Sequence, residues 1–139
     1  MSLSPSSPRV AVVVPVFNRA HCVLATLDSI LAQTLRPAQL IVVDNASTDA
    51  SKAVVATWMQ QQKPHCELLL LSEDTPGAAA ARNRGLQAVT TEWVSFFDSD
   101  DWMSPDFLEQ MMRSALAQQR EWVIARTLMV FPSNTPAVP

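Results

Sequence analysis

Leu40-Ile-Val-Val-Asp-Asn-Ala-Ser-Thr-Asp49 decides the fold. Four apolar residues run straight into a polar turn of Asp, Asn, Ser and Thr, and Val54, Val55, Trp58 and Met59 then fall on one helical face. A short continuous apolar run reads as a strand buried on both faces, and the switch to a 3.6-residue period marks a helix. The same unit recurs along the chain. Val10 to Val14 precedes Val23, Leu24, Leu27, Ile30 and Leu31 on one face, and Glu67 to Leu71 precedes the alanine-rich segment Ala78 to Ala88. Trp93 to Phe97 precedes Ser104-Pro-Asp106, a cap, a first-turn proline and an acid suited to a helix start. The stripe Phe107, Leu108, Met111, Met112, Ala115 and Leu116 follows. The order β-α-β-α-β-α-β-α predicts an α/β, three-layer sandwich with a mostly parallel sheet, right-handed crossovers and helices on both faces. Trp122 to Val130 is expected as a fifth strand. Residues 1–8 read as a loose leader, 9–131 as the single domain, and 132–139, with three prolines, as a frayed end.

Composition narrows the function. The 139 residues carry 10 Lys+Arg against 13 Asp+Glu, a net charge of −3, with 48% hydrophobic residues, which fits a folded domain and gives no basic footprint for nucleic acid. Cys22 and Cys66 lack metal-ligand spacing and read as incidental thiols in a reducing compartment. No apolar run approaches the roughly 20 residues of a membrane-spanning helix, and the polar, proline-broken start is not a secretory signal. With Gly77 and Gly85 as the only glycines, neither the Gly-x-Gly-x-x-Gly dinucleotide turn nor the Walker phosphate loop can be written. No Gly-x-Ser-x-Gly elbow accompanies His21 or His65, so a triad hydrolase has little support.

In an open parallel sheet the ligand lies beyond the carboxyl ends of the strands. The loops there are Pro15-Val-Phe-Asn18, Asp44 to Asp49, Ser72 to Gly77 and Asp98-Ser-Asp-Asp101. Asp98 and Asp100, one residue apart in extended chain, project to the same side. Carboxylates a few ångströms apart repel unless a cation sits between them, and Mg²⁺ or Mn²⁺ takes both carboxylate and phosphate oxygens. Arg82 offers a charge-assisted contact to a phosphate or nucleoside. Phe17 offers a stacking face for a base, with Asn18 and Asp44 near to hydrogen-bond it. Plainer readings stand beside these. The Asp98–Asp100 turn could cap the next helix, Asp44 could form a turn, Arg82 could be a surface charge and Phe17 could be core. Asp49 reads as a helix cap, and Asp101 is open between an outer partner of the cation and a cap. Trp58, Trp93, Met111 and Met112 read as packing, and the Ala78 to Ala81 run as a close helix–sheet contact.

Val12-Val-Val-Pro-Val-Phe-Asn18, Ile41-Val-Val-Asp-Asn-Ala-Ser-Thr-Asp49, Gly77-Ala-Ala-Ala-Ala-Arg-Asn-Arg-Gly85 and Phe96-Phe-Asp-Ser-Asp-Asp101, followed by Pro105, resemble in order and spacing the family 2 (GT-A fold) inverting glycosyltransferases. The resemblance covers Val10 to Leu116. It implies a nucleotide-diphospho-sugar donor of UDP or dTDP type, a divalent metal at the Asp-x-Asp motif, and transfer to a hydroxyl of a saccharide or lipid-linked acceptor with inversion, in the service of cell-surface polysaccharide synthesis. Carried over by position, Pro15, Phe17, Asn18, Asp44, Arg82 and Asp98 would bind the donor, and Asp98 and Asp100 the metal. Where many members have Asp-Asp-Gly-Ser, this chain has Asp44-Asn-Ala-Ser47, as in rhamnosyltransferase-like members. A full domain of the family is much longer and its catalytic base lies in the half not present here. The chain is therefore expected to carry mainly the donor- and metal-binding half, and to self-associate through an uncovered sheet. The expected place of work is the cytoplasm, peripheral to the inner face of a membrane in a full-length protein. A catalytically silent nucleotide-binding or assembly module is the alternative. A nucleotidyltransferase ranks low, because Pro15 to Arg19 holds a single arginine.

Overall fold

The computed structural model describes residues 9–63 and 65–123. The elements follow in the expected order: β1 (Val10–Val16), α1 (Val23–Leu31), β2 (Gln39–Asp44), α2 (Ser51–Gln61), β3 (Glu67–Ser72), α3 (Ala78–Leu86), β4 (Trp93–Phe96) and α4 (Phe107–Ala117). All strand pairs are parallel and the sheet order is β3-β2-β1-β4. Two compact units divide after Glu109; the first holds the sheet, α1 to α3 and the start of α4, and the second begins within α4. The expected fifth strand lies outside the described residues from position 124 onward, as do the leader and the tail. No helix among the described residues is long and apolar enough to cross a membrane.

Strand order explains the burial. β1 and β2 are central and every residue in them is buried. The expectation that the outer runs are equally buried fails for a geometric reason: among the described residues β3 and β4 have a strand on one side only, and their residues are half-buried or exposed. Right-handed crossovers fix the faces. The chain moves β1 to β2 to β3 in one direction, placing α1 and α2 on one side, and reverses to reach β4, placing α3 on the other. Under α3, Val13, Ile41, Val43 and Ala81 form a fully buried cluster flanked by Leu69, Leu71, Ala88, Val89 and Val94. Strand alternation turns Val12, Val14, Leu40 and Val42 to the opposite face, where all are equally buried. On that side Trp58 of α2 donates its indole N–H to Asp28 of α1 at 2.9 Å.

α3 sits with its backbone against the sheet. A β-carbon on Gly85 would come 2.4 Å from Val13 Cγ1 and 3.2 Å from Val43 Cγ2. The alanine run contributes less than expected to this contact, since Ala81 is buried while Ala78 and Ala79 are exposed. In α4 the buried stripe is Leu108, Met112 and Ala115; Leu116, expected within it, lies at its edge and is 47% exposed.

Candidate nucleotide and metal site

The reversal of strand order between β1 and β4 opens a crevice above their carboxyl ends. A cleft of about 250 Å³ lies there, lined by Pro15, Val16, Phe17, Arg19, Asn45, Ala78, Asp98, Ser99 and Asp100. A second cavity, of about 180 Å³, opens among Arg36, Pro37, Lys63 and Cys66, before the amino ends of β2 and β3. It stands away from the acidic turn.

Asp98, Asp100 and Asp101 each bring a carboxylate oxygen within 4.8 Å of the others, and all three residues are exposed. Partial burial first, and the charges of Asp100 and Asp98 after it, push the Asp101 carboxyl above its ordinary value. Two guanidinium groups approach the trio: Arg82 Nη2 lies 3.1 Å from Asp98 Oδ1, and Arg19 Nη2 lies 3.9 Å from Asp100 Oδ2. Exposed pairs of this kind contribute little to stability, so their consequence is the local field. Three hard oxygen donors at this spacing, with Asp98 and Asp100 lining the cleft, fit a divalent cation that also takes phosphate oxygens.

Asp44 ends β2 opposite Val16 of β1. It is 5% exposed. Its Oδ2 accepts the Ser47 N–H at 3.3 Å, and its Oδ1 is buried without a hydrogen-bond partner among the described residues. A buried acceptor left unpaired costs about 1–3 kcal/mol, so it is the kind of atom a ligand N–H satisfies. Asp44 does not itself line the cleft; its neighbour Asn45 does. Between them and Ser47, Ala46 holds φ +54°, a left-handed conformation that its β-carbon disfavours by about 1 kcal/mol.

The other expected residues divide. Phe17 is 54% exposed and lines the cleft with buried Pro15, which sets aside the reading of Phe17 as core. Arg82 reaches the site through Asp98. Asn18, expected to bond the base, is engaged elsewhere: its Oδ1 accepts the N–H groups of Thr48 at 2.8 Å and Asp49 at 3.2 Å, and its own N–H donates to Ser47 Oγ at 3.0 Å. It ties the β1 loop to the β2 loop. Asp49, expected as the cap of α2, stands one residue before the N-cap position, which Ala50 holds; its carboxylate accepts from Ser51 N–H at 2.8 Å and Ala20 N–H at 3.2 Å, and the Ser51 hydroxyl leads the interactions that hold its carboxyl below the ordinary value. Cys22 and Cys66 are free and half-buried, and burial pushes both thiols up.

Sequence reasoning missed three contributors. Asn45 donates through Nδ2 to the carbonyls of Glu73 at 2.9 Å and Thr75 at 2.8 Å, and accepts the Gly77 N–H at 3.0 Å. It clamps the loop that launches α3 from Gly77, whose φ of +112° suits glycine. Arg19 was one arginine in a loop. Thr26, in the helix between β1 and β2, has its hydroxyl oxygen 2.9 Å from the Ser99 carbonyl and 2.7 Å from that of Asp101. The only signal for it is a polar residue among apolar ones on an amphipathic face.

Comparison with known proteins places this geometry. The succinoglycan biosynthesis protein ExoO of Rhizobium meliloti is 35% identical over 108 residues, 78% of this chain and 30% of that protein. Among solved structures, S. aureus TarS in complex with UDP superposes with a TM-score of 0.66 at 26% identity, covering 80% of this chain and 32% of that one. The mannosyltransferase PcManGT of Pyrobaculum calidifontis, solved with GDP-Man and Mn²⁺, gives a TM-score of 0.63 at 36% identity, covering 69% and 28%. The chain thus spans well under half the length of these relatives, 16% to 38% of the curated ones. These neighbours share the GT-A fold. The Glycosyl transferase family 2 model matches residues 11–139, which takes in the sheet, the switch-point cleft and the acidic turn together, and so the chain belongs to glycosyl transferase family 2.

Proposed function

We propose that this chain is the donor-binding half of a glycosyltransferase that takes a nucleoside diphosphate sugar through a divalent cation and delivers the sugar to an acceptor hydroxyl with inversion. The observation that carries this reading is the Oδ1 of Asp44, buried and without a partner among the described residues, at the carboxyl end of β2, the same end of the sheet at which three carboxylates follow β4. A uracil or thymine ring presents an imide N–H, the donor that Asp44 lacks; cytosine has no such ring N–H. Phe17 supplies an apolar face for the ring and Pro15 the floor of the cleft.

Asp98, Asp100 and Asp101 would hold Mg²⁺ or Mn²⁺, with Asp98 also close to the donor through Arg82. When bound, the cation neutralises charge on the departing diphosphate. Arg82 and Arg19, each already against one carboxylate of the trio, supply further positive charge for the phosphates. Transfer forms a bond from the acceptor oxygen to the anomeric carbon and breaks the bond from that carbon to the diphosphate. The acceptor proton leaves to a base for which the described residues offer no assigned group.

A thermal-denaturation panel of UDP, dTDP, GDP and CMP, each with and without Mn²⁺, tests the reading. A ligand at a hundredfold excess over its Kd stabilises by about 2.7 kcal/mol, which raises Tm by roughly 10 °C in a domain of this size. UDP or dTDP with Mn²⁺ is expected to give such a shift, and CMP is expected to give little. In Asp100→Ala the Mn²⁺-dependent part of the shift is expected to vanish. Equal shifts for Asp100→Ala and the parent, or none with any diphosphate, would refute the proposal. Measuring sugar transfer beside binding then separates an active half from a silent binding module.

A further inference from the structure

α1 and the turn that follows it bury three polar side chains that an amphipathic helix has no reason to bury. Thr26, Ser29 and Gln33, spaced three and four apart, are 2%, 6% and 3% exposed. Each meets the backbone of the segment that follows β4. The Thr26 hydroxyl sits 2.9 Å from the Ser99 carbonyl and 2.7 Å from the Asp101 carbonyl, on either side of Asp100. Ser29 Oγ accepts the Met103 N–H at 3.0 Å while donating to the Thr26 carbonyl at 2.7 Å. Gln33 donates to the Ser104 carbonyl and accepts the Leu108 N–H at 3.0 Å. The Thr34 N–H donates to the Pro105 carbonyl at 2.8 Å, continuing the row.

The segment from Phe97 to Asp106 lies between β4 and α4 and belongs to neither, so its backbone groups find partners elsewhere or remain unpaired. Thr26 and Ser29 of α1 supply partners at positions 99, 101 and 103, and Gln33, two residues past the helix, supplies one at 104. Asp98 and Asp100, on either side of Ser99, keep their carboxylates exposed beside the cleft. Three like charges within 4.8 Å would drive an unrestrained loop apart. We propose that the buried polar stripe Thr26–Ser29–Gln33 fixes the spacing of the Asp98, Asp100 and Asp101 carboxylates. Thr26 is then a positioning residue for the divalent cation. The cation half of this inference rests on the proposed function; the loop half does not.

Thr26→Val keeps the shape and removes the hydroxyl. Supporting partners of metal ligands typically change metal affinity 10- to 100-fold when removed. In the full chain, Thr26→Val is expected to weaken Mn²⁺ binding in the presence of UDP by about tenfold, to leave metal-free uridine binding unchanged, and to quicken amide exchange at Asp101 and Met103. Thr26→Ser is expected to restore the Mn²⁺ affinity and the exchange rates. Ser29→Ala provides a second route to the same loosening if the valine variant does not fold. Parent-like Mn²⁺ affinity in a folded Thr26→Val protein, or unchanged exchange at Asp101 and Met103, would overturn the inference. If the parent itself takes up no Mn²⁺ with UDP, the proposed function fails instead, and the exchange rates alone decide the positioning role, unchanged rates overturning it.

Discussion

Asn45→Asp is expected to destabilise the fold by about 3 kcal/mol, because a buried carboxylate would replace an amide that donates to two carbonyls. The two substitutes differ by one atom. Asn45 is 5% exposed and gives one N–H each to Glu73 and Thr75 while its oxygen takes the Gly77 N–H. An ionised aspartate keeps the Gly77 contact and loses both donations, leaving two carbonyl oxygens facing a negative charge in a confined space. The loss falls on the loop that starts α3 and so on the placement of Arg82. Urea denaturation is the check: the midpoint is expected to drop with the slope unchanged. A variant as stable as the parent within about 0.5 kcal/mol, the scatter of an ordinary surface change, would show that the amide donations carry no weight.

Gly85→Ala runs against helix propensity, and the structure says which effect wins. Alanine in place of a helical glycine gains about 1 kcal/mol. The new β-carbon, however, would lie 2.4 Å from Val13 Cγ1, and Val43 Cγ2 closes the other side at 3.2 Å. Val13 is fully buried in a central strand and its side chain has nowhere to turn. Overpacking a tight core costs about 1–3 kcal/mol and occasionally more, so a net loss of about 2 kcal/mol is expected once the propensity gain is subtracted. Thermal or urea denaturation reads it. Combining Gly85→Ala with Val13→Ala is expected to cost less than the two single losses summed, since Val13→Ala removes the methyl groups that the new β-carbon meets and that carbon fills part of the space they leave. A Gly85→Ala protein more stable than the parent would mean that α3 lifts off the sheet at no cost.

The strands were legible because runs such as Leu40 to Val43 are apolar without interruption, and a central parallel strand is the place where such a run belongs. Their ends were less so. Pro15 argues for ending β1 at Val14, since a proline withholds an N–H from the ladder. The strand nevertheless continues to Val16. The Val16 carbonyl accepts from Asn45 on the β2 side and the Val13 carbonyl from Phe97 on the β4 side. Backbone alternation therefore turns the missing N–H of Pro15 toward β4, whose pairing with β1 has ended at Val13. No ladder bond is lost, and a proline beside the cleft is tolerated.

At the site, the acidic turn was legible from position alone, because carboxylates gathered after an apolar strand have few structural uses. The supports were not. Asn45 reads as an ordinary turn residue until its partners, 28 to 32 positions later, are known. Thr26 reads as a blemish in an apolar stripe until the loop 73 to 75 positions on comes to rest against it. Asn18 shows the converse. Its type and place suit a base contact, yet the loop from Ser47 to Asp49 occupies its backbone N–H and its side-chain oxygen. Local pattern reports which residues could do chemistry, and long-range pairing decides which are already engaged.

Asp44 and the acidic turn are expected to act on one ligand. Amide NMR of the chain titrated with UDP, first without and then with Mn²⁺, tests this directly. UDP alone is expected to move the signals of Asn45, Ala46 and Phe17, and Mn²⁺ is then expected to broaden those of Asp98 to Asp101 only while UDP is present at comparable concentration. Broadening at the turn with no response at Asn45 and Ala46, or a UDP response confined to the far cavity around Arg36 and Lys63, would contradict it.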